Sequence, residues 1–272
     1  MKKIGFIGFG HMGKALVRAL LNGGIAPESL VISSRRIERV REFGNEFPGI
    51  GIVERSADVA RNADVLFICV NTLEVINVVN DIGPHIRADT HIVSIAGGVT
   101  ILSIENIIPG KISRVIPTLT CEVAKGTSLV CHNAMVDAGE RQYLEDMLRK
   151  IGRVLVIGEE QFVVYTALSS CAPGLIAALF DVLIESATRC GNTDPGKAFQ
   201  VLLSSLEGTA ALLREKNESF SELVNRVARK GGNTEIGVAL FKNRFPAVFD
   251  EMFTGMITNE KTRNARTAGQ SS

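Results

Sequence analysis

The run Gly8-Phe9-Gly10-His11-Met12-Gly13 has the G-x-G-x-x-G spacing with which a chain turns sharply from a strand into a helix and lays its backbone against a diphosphate. Gly8 allows the tight turn, Gly10 the close approach of backbone to phosphate, and Gly13 the packing of helix on strand. Alone, such a run is weak evidence. Here an apolar strand, Ile4–Ile7, comes just before it and an amphipathic helix just after, and that context selects a dinucleotide site over a bare turn. The phosphates would rest on the unpaired amides and positive dipole end of the helix. The end of the second strand selects the nucleotide. An Asp or Glu there would accept from a ribose 2′-hydroxyl, but the chain reads Ser33-Ser34-Arg35-Arg36. Two hydroxyls and two guanidinium groups suit a 2′-phosphate, which a planar cation grips through two bonds. The alternative, a solvated basic helix start, sets arginines against the helix dipole. The expected cofactor is NADP(H), used as NADPH.

Eight short β-branched runs would frame these residues: Lys3–Ile7, Leu30–Ser33, Gly51–Val53, Asp64–Val70, His91–Ile95, Ser113–Ile116, Ser128–His132 and Arg153–Ile157. Helical patterns separate most of the early ones, as in Met12–Asn22. Strands alternating with helices predict a parallel sheet covered on both faces, and near-continuous apolar strands such as Val65–Val70 suit burial on both. After about Gly158 the strand signal ends. Glu159–Leu168, Gly174–Cys190, Asp194–Glu215, Ser219–Ala228, Thr234–Lys242 and Phe245–Arg263 read as helices. The pattern predicts a Rossmann-type, doubly wound α/β domain over residues 1–158 and an all-helical domain over 159–272. Leu175–Ile184 is apolar nearly all round, as in a helix enclosed on every side. Phe245, Val248, Phe249, Met252, Phe253, Met256 and Ile257 make an apolar stripe that reads as core or subunit interface. The polar tail from Asn264 to Ser272 is expected to fray.

Composition excludes several classes. Over 272 residues, 30 basic and 29 acidic side chains leave a formal charge of +1, without the excess that nucleic acid or an anionic membrane attracts. No Trp and only two Tyr leave little for stacking on single strands. Five cysteines, an odd number without a C-x-x-C pair, suit a reducing cytoplasm. The four histidines, at 11, 85, 91 and 132, show no metal-ligand spacing, so no metal is expected. His132 reads as structural or surface. The apolar run Ala172–Ile184, broken by Asp181, falls short of a membrane span. The reading is a soluble cytoplasmic chain.

Several motifs together resemble the pyrroline-5-carboxylate reductase family. Ile4–Gly13 looks like its nucleotide loop, and Ser94-Ile95-Ala96-Gly97-Gly98-Val99-Thr100 like the stretch after its fifth strand. Arg114-Val115-Ile116-Pro117 with Gly126-Thr127 is similar to its proline loop and following strand. Thr166-Ala167-Leu168-Ser169-Ser170-Cys171-Ala172-Pro173-Gly174 and Gly231-Gly232-Asn233-Thr234 match its two later turns. The likeness runs from residue 1 to about 263. It implies an NADPH-dependent reduction of 1-pyrroline-5-carboxylate to L-proline, and a helical half that forms an intertwined homodimer or a larger ring. It adds Val70, Asn71, Ala96, Gly97, Pro117 and Thr118 to the cofactor set, with Thr118 near the nicotinamide. The departures fall on the substrate side. Val70-Asn71-Thr72 stands for a family Val-Lys-Pro, Pro117-Thr118-Leu119-Thr120 for Pro-Asn-Thr-Pro, Ser169-Ser170-Cys171-Ala172 for Ser-Gly-Ser-Gly, and Arg229–Thr234 for Ser-Pro-Gly-Gly-Thr-Thr.

Reducing a protonated imine asks little of a protein beyond holding donor and acceptor carbons together, which fits a chain with no Ser/His/Asp set and no carboxylate pair. The substrate carboxylate is placed on the amides of Gly231, Gly232 and Asn233, with the Thr234 hydroxyl, as an anion nest opening a helix. The alternative is a helix-linking turn. Arg229 and Lys230 would bind a second anionic group, or are a solvated loop. Ser169 and Ser170 would bond the imine nitrogen or the nicotinamide amide, or cap a helix. Cys171 reads as a packed thiol. Thr234, Ser169 and Ser170 are thus the catalytic candidates. Two other functions stay open: reduction of a different imine or keto acid on the same fold, including a deazaflavin-linked relative, and a catalytically silent NADP-binding paralogue.

Overall fold

The structure is a computed structural model that describes residues 2–268. Eight strands form one sheet: β1 Ile4–Ile7, β2 Leu30–Ser33, β3 Gly51–Val53, β4 Val65–Ile68, β5 His91–Ser94, β6 Lys111–Ile116, β7 Gly126–His132 and β8 Gly152–Val156. All eight expected strands form, and among the described residues none follows Val156. Their order is β3-β2-β1-β4-β5-β6-β7-β8. The reversal between β1 and β4 opens a crevice at the carboxyl ends of the strands, where such sheets bind ligands. The sheet is not wholly parallel. β7 runs antiparallel to β6, with Val115 opposite Val130, because residues 117–125 between them are too few to carry a crossover helix. β8 then pairs parallel with β7.

The helices are α1 His11–Asn22, α2 Ile37–Glu46, α3 Ser56–Asn62, α4 Val75–Ile82, α5 Ile101–Glu105, α6 Ala138–Arg149, α7 Phe162–Leu168, α8 Ala172–Gly191, α9 Pro195–Lys216, α10 Phe220–Val227 and α11 Asn233–Ala268. Alternate strand residues point to opposite faces, and each face has its own core. Phe6, Phe67 and Val93 pack with Leu16, Leu20, Val40, Phe43 and Leu144 from α1, α2 and α6. Ile7, Leu66, Ile68 and Ile92 pack with Val59, Ile76, Val79 and Ile104 from α3, α4 and α5. Both faces are covered, as the apolar strands require.

Packing divides the chain at a point other than residue 158. One compact unit holds the residues up to Cys171 together with those from Met256 on, and the other is Ala172–Gly255. The shift has a physical cause. Phe162 of α7 is buried against Ile116 and Leu129 of the sheet, and the Arg114 guanidinium lies 4.7 Å from its ring centroid. Arg114, itself buried, also faces Glu159 at 3.2 Å and Glu260 of α11 at 3.5 Å. These contacts tie both α7 and the end of α11 to the first unit.

Two other expectations change. The segments read as Thr234–Lys242 and Phe245–Arg263 are one helix, α11, with Pro246 inside it. Proline removes one amide donor, the partner of the Lys242 carbonyl, but does not stop the helix. The tail expected to fray from Asn264 is helical through Ala268, and its remainder, 269–272, lies outside the described residues. The stretch 159–191 contains an 18-residue window of mean hydropathy 1.9, so by length and composition it is long and apolar enough to cross a membrane. The shorter run read from the sequence missed this because it stopped at Ile184.

Candidate active site

The first unit holds a cleft of about 760 Å³ at the carboxyl ends of β1, β2 and β4. Its floor is the glycine turn. Gly8 sits at φ +97°, and a Cβ there would lie 2.8 Å from the Cys69 carbonyl carbon and oxygen. A Cβ on Gly13 would come within 2.9 Å of the Gly8 carbonyl oxygen. Gly10 differs, since a Cβ there would meet nothing within 4 Å: the space its missing side chain leaves is open to a ligand. No side chain caps α1 at Gly10, and its first turn carries no acid. The helix therefore presents amides and its positive end to the cleft, an anion site by construction.

The end of β2 supplies the second wall. Ser33, Ser34, Arg35 and Arg36 line the cleft, joined by Arg39 and Ser56. Sequence reasoning missed Arg39. The signal was present, because Arg39 lies three residues past Arg36, one turn along α2. Ser56, 3.4 Å from the Ser33 hydroxyl, carried no such signal, since only the β2–β3 pairing brings it there. On the opposite wall stand Val70, Asn71 and Glu74. Glu74 reaches across to Arg35, 2.6 Å from Oε1 to Nη2.

Gly8, Phe9, Gly10, His11, Ser33, Ser34, Arg35, Arg36, Val70 and Asn71 from the expected cofactor set line this one cleft. Met12, Gly13, Ala96, Gly97, Pro117 and Thr118 do not. Phe9 has a second role, packing edge-on to Phe43 at 5.1 Å. Thr118 is buried, and its hydroxyl accepts from the Thr127 amide at 2.8 Å, which fixes the start of β7. The Gly97 carbonyl accepts from the Thr72 hydroxyl at 2.7 Å, and Arg263 Nη2 donates to that hydroxyl at 2.6 Å. Thr72, where the family has proline, thereby links the loops after β4 and β5.

The later turns are placed separately. Ser169 donates its hydroxyl to the Tyr165 carbonyl at 2.7 Å, closing the end of α7. Ser170 is half-buried beside it, whereas Cys171, expected as a packed thiol, is exposed just ahead of α8; partial desolvation there still raises its thiol. In the second unit, Gly231 sits at φ +76°. Its amide donates to the Glu235 carboxylate at 2.7 Å, and the Gly232 amide to the Arg229 carbonyl at 2.9 Å. This corrects the three-amide nest: two of its donors already have partners in the chain, because Glu235 in the first turn of α11 folds back onto Gly231 and the turn itself closes from Gly232 to the Arg229 carbonyl. Asn233 and Thr234 are exposed, and Thr234 lines a shallow groove with Leu212, Leu223 and Val227. Arg229 and Lys230 are exposed and join no ion pair among the described residues.

A glycine turn opening a helix beside the reversal of a parallel sheet, with hydroxyls and arginines on the adjoining strand end, defines a dinucleotide-binding oxidoreductase domain. Residues 3–98 match the family described as NADP oxidoreductase coenzyme F420-dependent, and residues 159–262 match the family described as pyrroline-5-carboxylate reductase dimerisation. The chain is 38% identical over 255 residues to pyrroline-5-carboxylate reductase 3 of Bacillus subtilis, covering 93% of each chain. The chain belongs to the pyrroline-5-carboxylate reductase family. The fold likeness extends to distant solved structures. Pyrroline-5-carboxylate reductase from Coxiella burnetii superposes with a TM-score of 0.84 at 24% identity, over 98% of both chains. The Plasmodium falciparum pyrroline carboxylate reductase with NADP bound gives 0.84 at 21% identity, again over 98% of both.

Proposed function

We propose that this chain reduces 1-pyrroline-5-carboxylate to L-proline with NADPH, as a soluble cytoplasmic homodimer or higher homo-oligomer. The observation that carries the reading is kinship along nearly the entire length with a reductase of that name, 93% of each chain. The cleft fits the coenzyme on its own chemistry, through an uncapped helix start, an open face at Gly10 and an arginine-lined strand end.

When bound, NADPH supplies the hydride for the C=N carbon. The chain's share is to bind and orient. The first-turn amides of α1 take the diphosphate. Ser33, Ser34, Arg35, Arg36 and Arg39 would take the 2′-phosphate, and Val70 and Asn71 border the path towards the nicotinamide end. The Asn233 amide and Thr234 hydroxyl remain to hold the substrate carboxylate, with Arg229 and Lys230 as the nearby positive charge. A protonated imine is already electrophilic, so no general acid with a shifted pKa is required.

The apolar length of 159–191 is read as a subunit interface rather than a membrane span. Asp181 and Glu185 lie within α8, and an acid near a bilayer centre costs about 2.5–3.5 kcal/mol. A second reading, reduction of a different imine, is favoured by the engaged amides of Gly231 and Gly232, which leave a smaller anion pocket than three free donors would.

The test is to mix purified protein with NADPH and pyrroline-5-carboxylate and follow loss of absorbance together with proline formation. Sustained turnover supports the proposal. Coenzyme binding with turnover only on another imine shifts the assignment to the second reading. Binding with silence across an imine and keto-acid panel indicates a non-catalytic paralogue.

A further inference from the structure

The three cleft arginines are not equivalent. Arg36 and Arg39 enter no ion pair among the described residues, whereas Arg35 is bound to Glu74. The pair spans the cleft, joining the end of β2 to the short turn Thr72–Glu74 that follows β4, and both residues line the cavity. Arg35 is otherwise solvated, with 83% of its side chain exposed, while Glu74 is at 31%. No packing on the Arg35 side of the pair dictates this orientation. The guanidinium lies where the carboxylate draws it.

Resting on the NADPH reading above, we propose that Glu74 is a specificity-determining residue that works against the coenzyme: its carboxylate occupies Arg35 in the free protein and must release it to the 2′-phosphate. The chemistry is a competition between two anions for one planar cation. A phosphate monoester carries about −1.5 to −2 near neutral pH, against −1 for a carboxylate, so the phosphate wins, but only by the difference. Arg36 and Arg39 make the first contact. Arg35 completes the grip at the cost of an internal partner, and once freed, Glu74 leaves an unpaired negative charge near a bound phosphate. The net effect is to weaken the 2′-phosphate form and to leave the 2′-hydroxyl form untouched. A site that must let go of its oxidised coenzyme in every cycle gains a ready replacement for the departing phosphate.

The test is calorimetric titration of the full-length protein and its variants with NADPH and with NADH. In Glu74→Gln, the dissociation constant for NADPH should fall about three- to tenfold, the range expected for removing one solvent-screened charge next to another, with NADH unchanged within about twofold. In an Arg35→Ala background, the same substitution should lose most of that gain, because there is no guanidinium left to release. An NADPH affinity that is unchanged or weaker in Glu74→Gln overturns the proposal, and so does a gain of equal size in the absence of Arg35. Wild-type protein that binds NADH as tightly as NADPH overturns the nucleotide assignment itself and takes the Glu74 proposal with it, which separates the two failures.

Discussion

The two compact units use apolar residues in opposite ways. In the first, Phe6, Phe67, Leu16, Leu66 and Ile76 are fully buried in cores on the two faces of the sheet. In the second, Ala172–Gly255, no residue is buried, and side chains as large as Phe199, Leu203 and Phe241 are each about half exposed, at 50%, 49% and 50%. Its helices nonetheless carry well-formed ends: Asp194 caps α9 ahead of Pro195, and Ser219 and Glu222 cap α10 reciprocally. Local helix formation there is specified in full while burial is not. Local signals without burial rarely suffice for a stable helix in water. The first unit is built to hold itself, and the second to be finished by contact with another surface, in keeping with its match to a dimerisation family.

The comparison is most exposed to failure in the first unit's core. Phe67 has no exposed surface and stacks on Phe6 with centroids 4.9 Å apart. Phe67→Ala should cost about 3–5 kcal/mol, read as a lowered midpoint in chemical denaturation followed by circular dichroism. A loss under about 1 kcal/mol would mean that this core does not carry the unit.

In the second unit, the effect of a substitution should fall on association instead. Leu203 lines an apolar groove with Ile176, Phe180 and Phe199, between α8 and α9. Leu203→Asp places a charge there. It should weaken the subunit contact about a hundredfold, the size of an interface hot spot, converting the homo-oligomer to monomer in light scattering at micromolar concentration. The helical circular dichroism of the first unit should stay. An assembly of unchanged mass would show that the groove faces something other than a second copy.

What the sequence made legible follows the same division. The inner strands β1, β4 and β5 could be read because burial on both faces writes a near-continuous apolar run, the partly exposed edge strands β3 and β8 only from their short β-branched runs, and the glycine turn because its spacing follows from sterics at Gly8 and Gly13. The antiparallel β7 could not be read from side-chain periodicity, which is 2 in either orientation; only the shortness of residues 117–125 encoded it. Pro246 and the polar Asn243-Arg244 before it disguised α11 as two helices, because propensity is local while the apolar stripe that continues through it is not. Arg39 was overlooked although its helical phase from Arg36 was available. The capture of the Gly231 amide by Glu235 was also within reach, since an acid in the first turn of a helix commonly bonds the amides at or just before its start. Arg263 on Thr72 and the Gly97 carbonyl, separated by 191 and 166 residues, lay beyond any local rule.

Acid offers the gentlest test of the contrast. Every histidine of the chain lies in the first unit, and two of them are joined through a serine inside its sheet: His91 Nε2 to the Ser113 hydroxyl at 2.6 Å, and that hydroxyl to His132 Nδ1 at 2.6 Å. Burial, with the neighbouring His132 adding to it, pushes His91 down to about 3. Burial also lowers His132, although Glu145 stands 3.5 Å from its Nε2 and pulls the other way. The folded unit thus holds His91 neutral at a pH where the unfolded chain, with an ordinary value near 6.5, binds a proton. Stability is therefore present in full above about pH 6.5 and drains as the pH falls towards 3. Between pH 7 and 5, before the carboxylates are protonated, His91 alone should remove about 2 kcal/mol. Thermal melts at the two pH values should show the drop in the wild type and a smaller one in His91→Gln, while the oligomer mass stays the same. An equal drop in both would place the acid sensitivity outside this buried chain of hydrogen bonds.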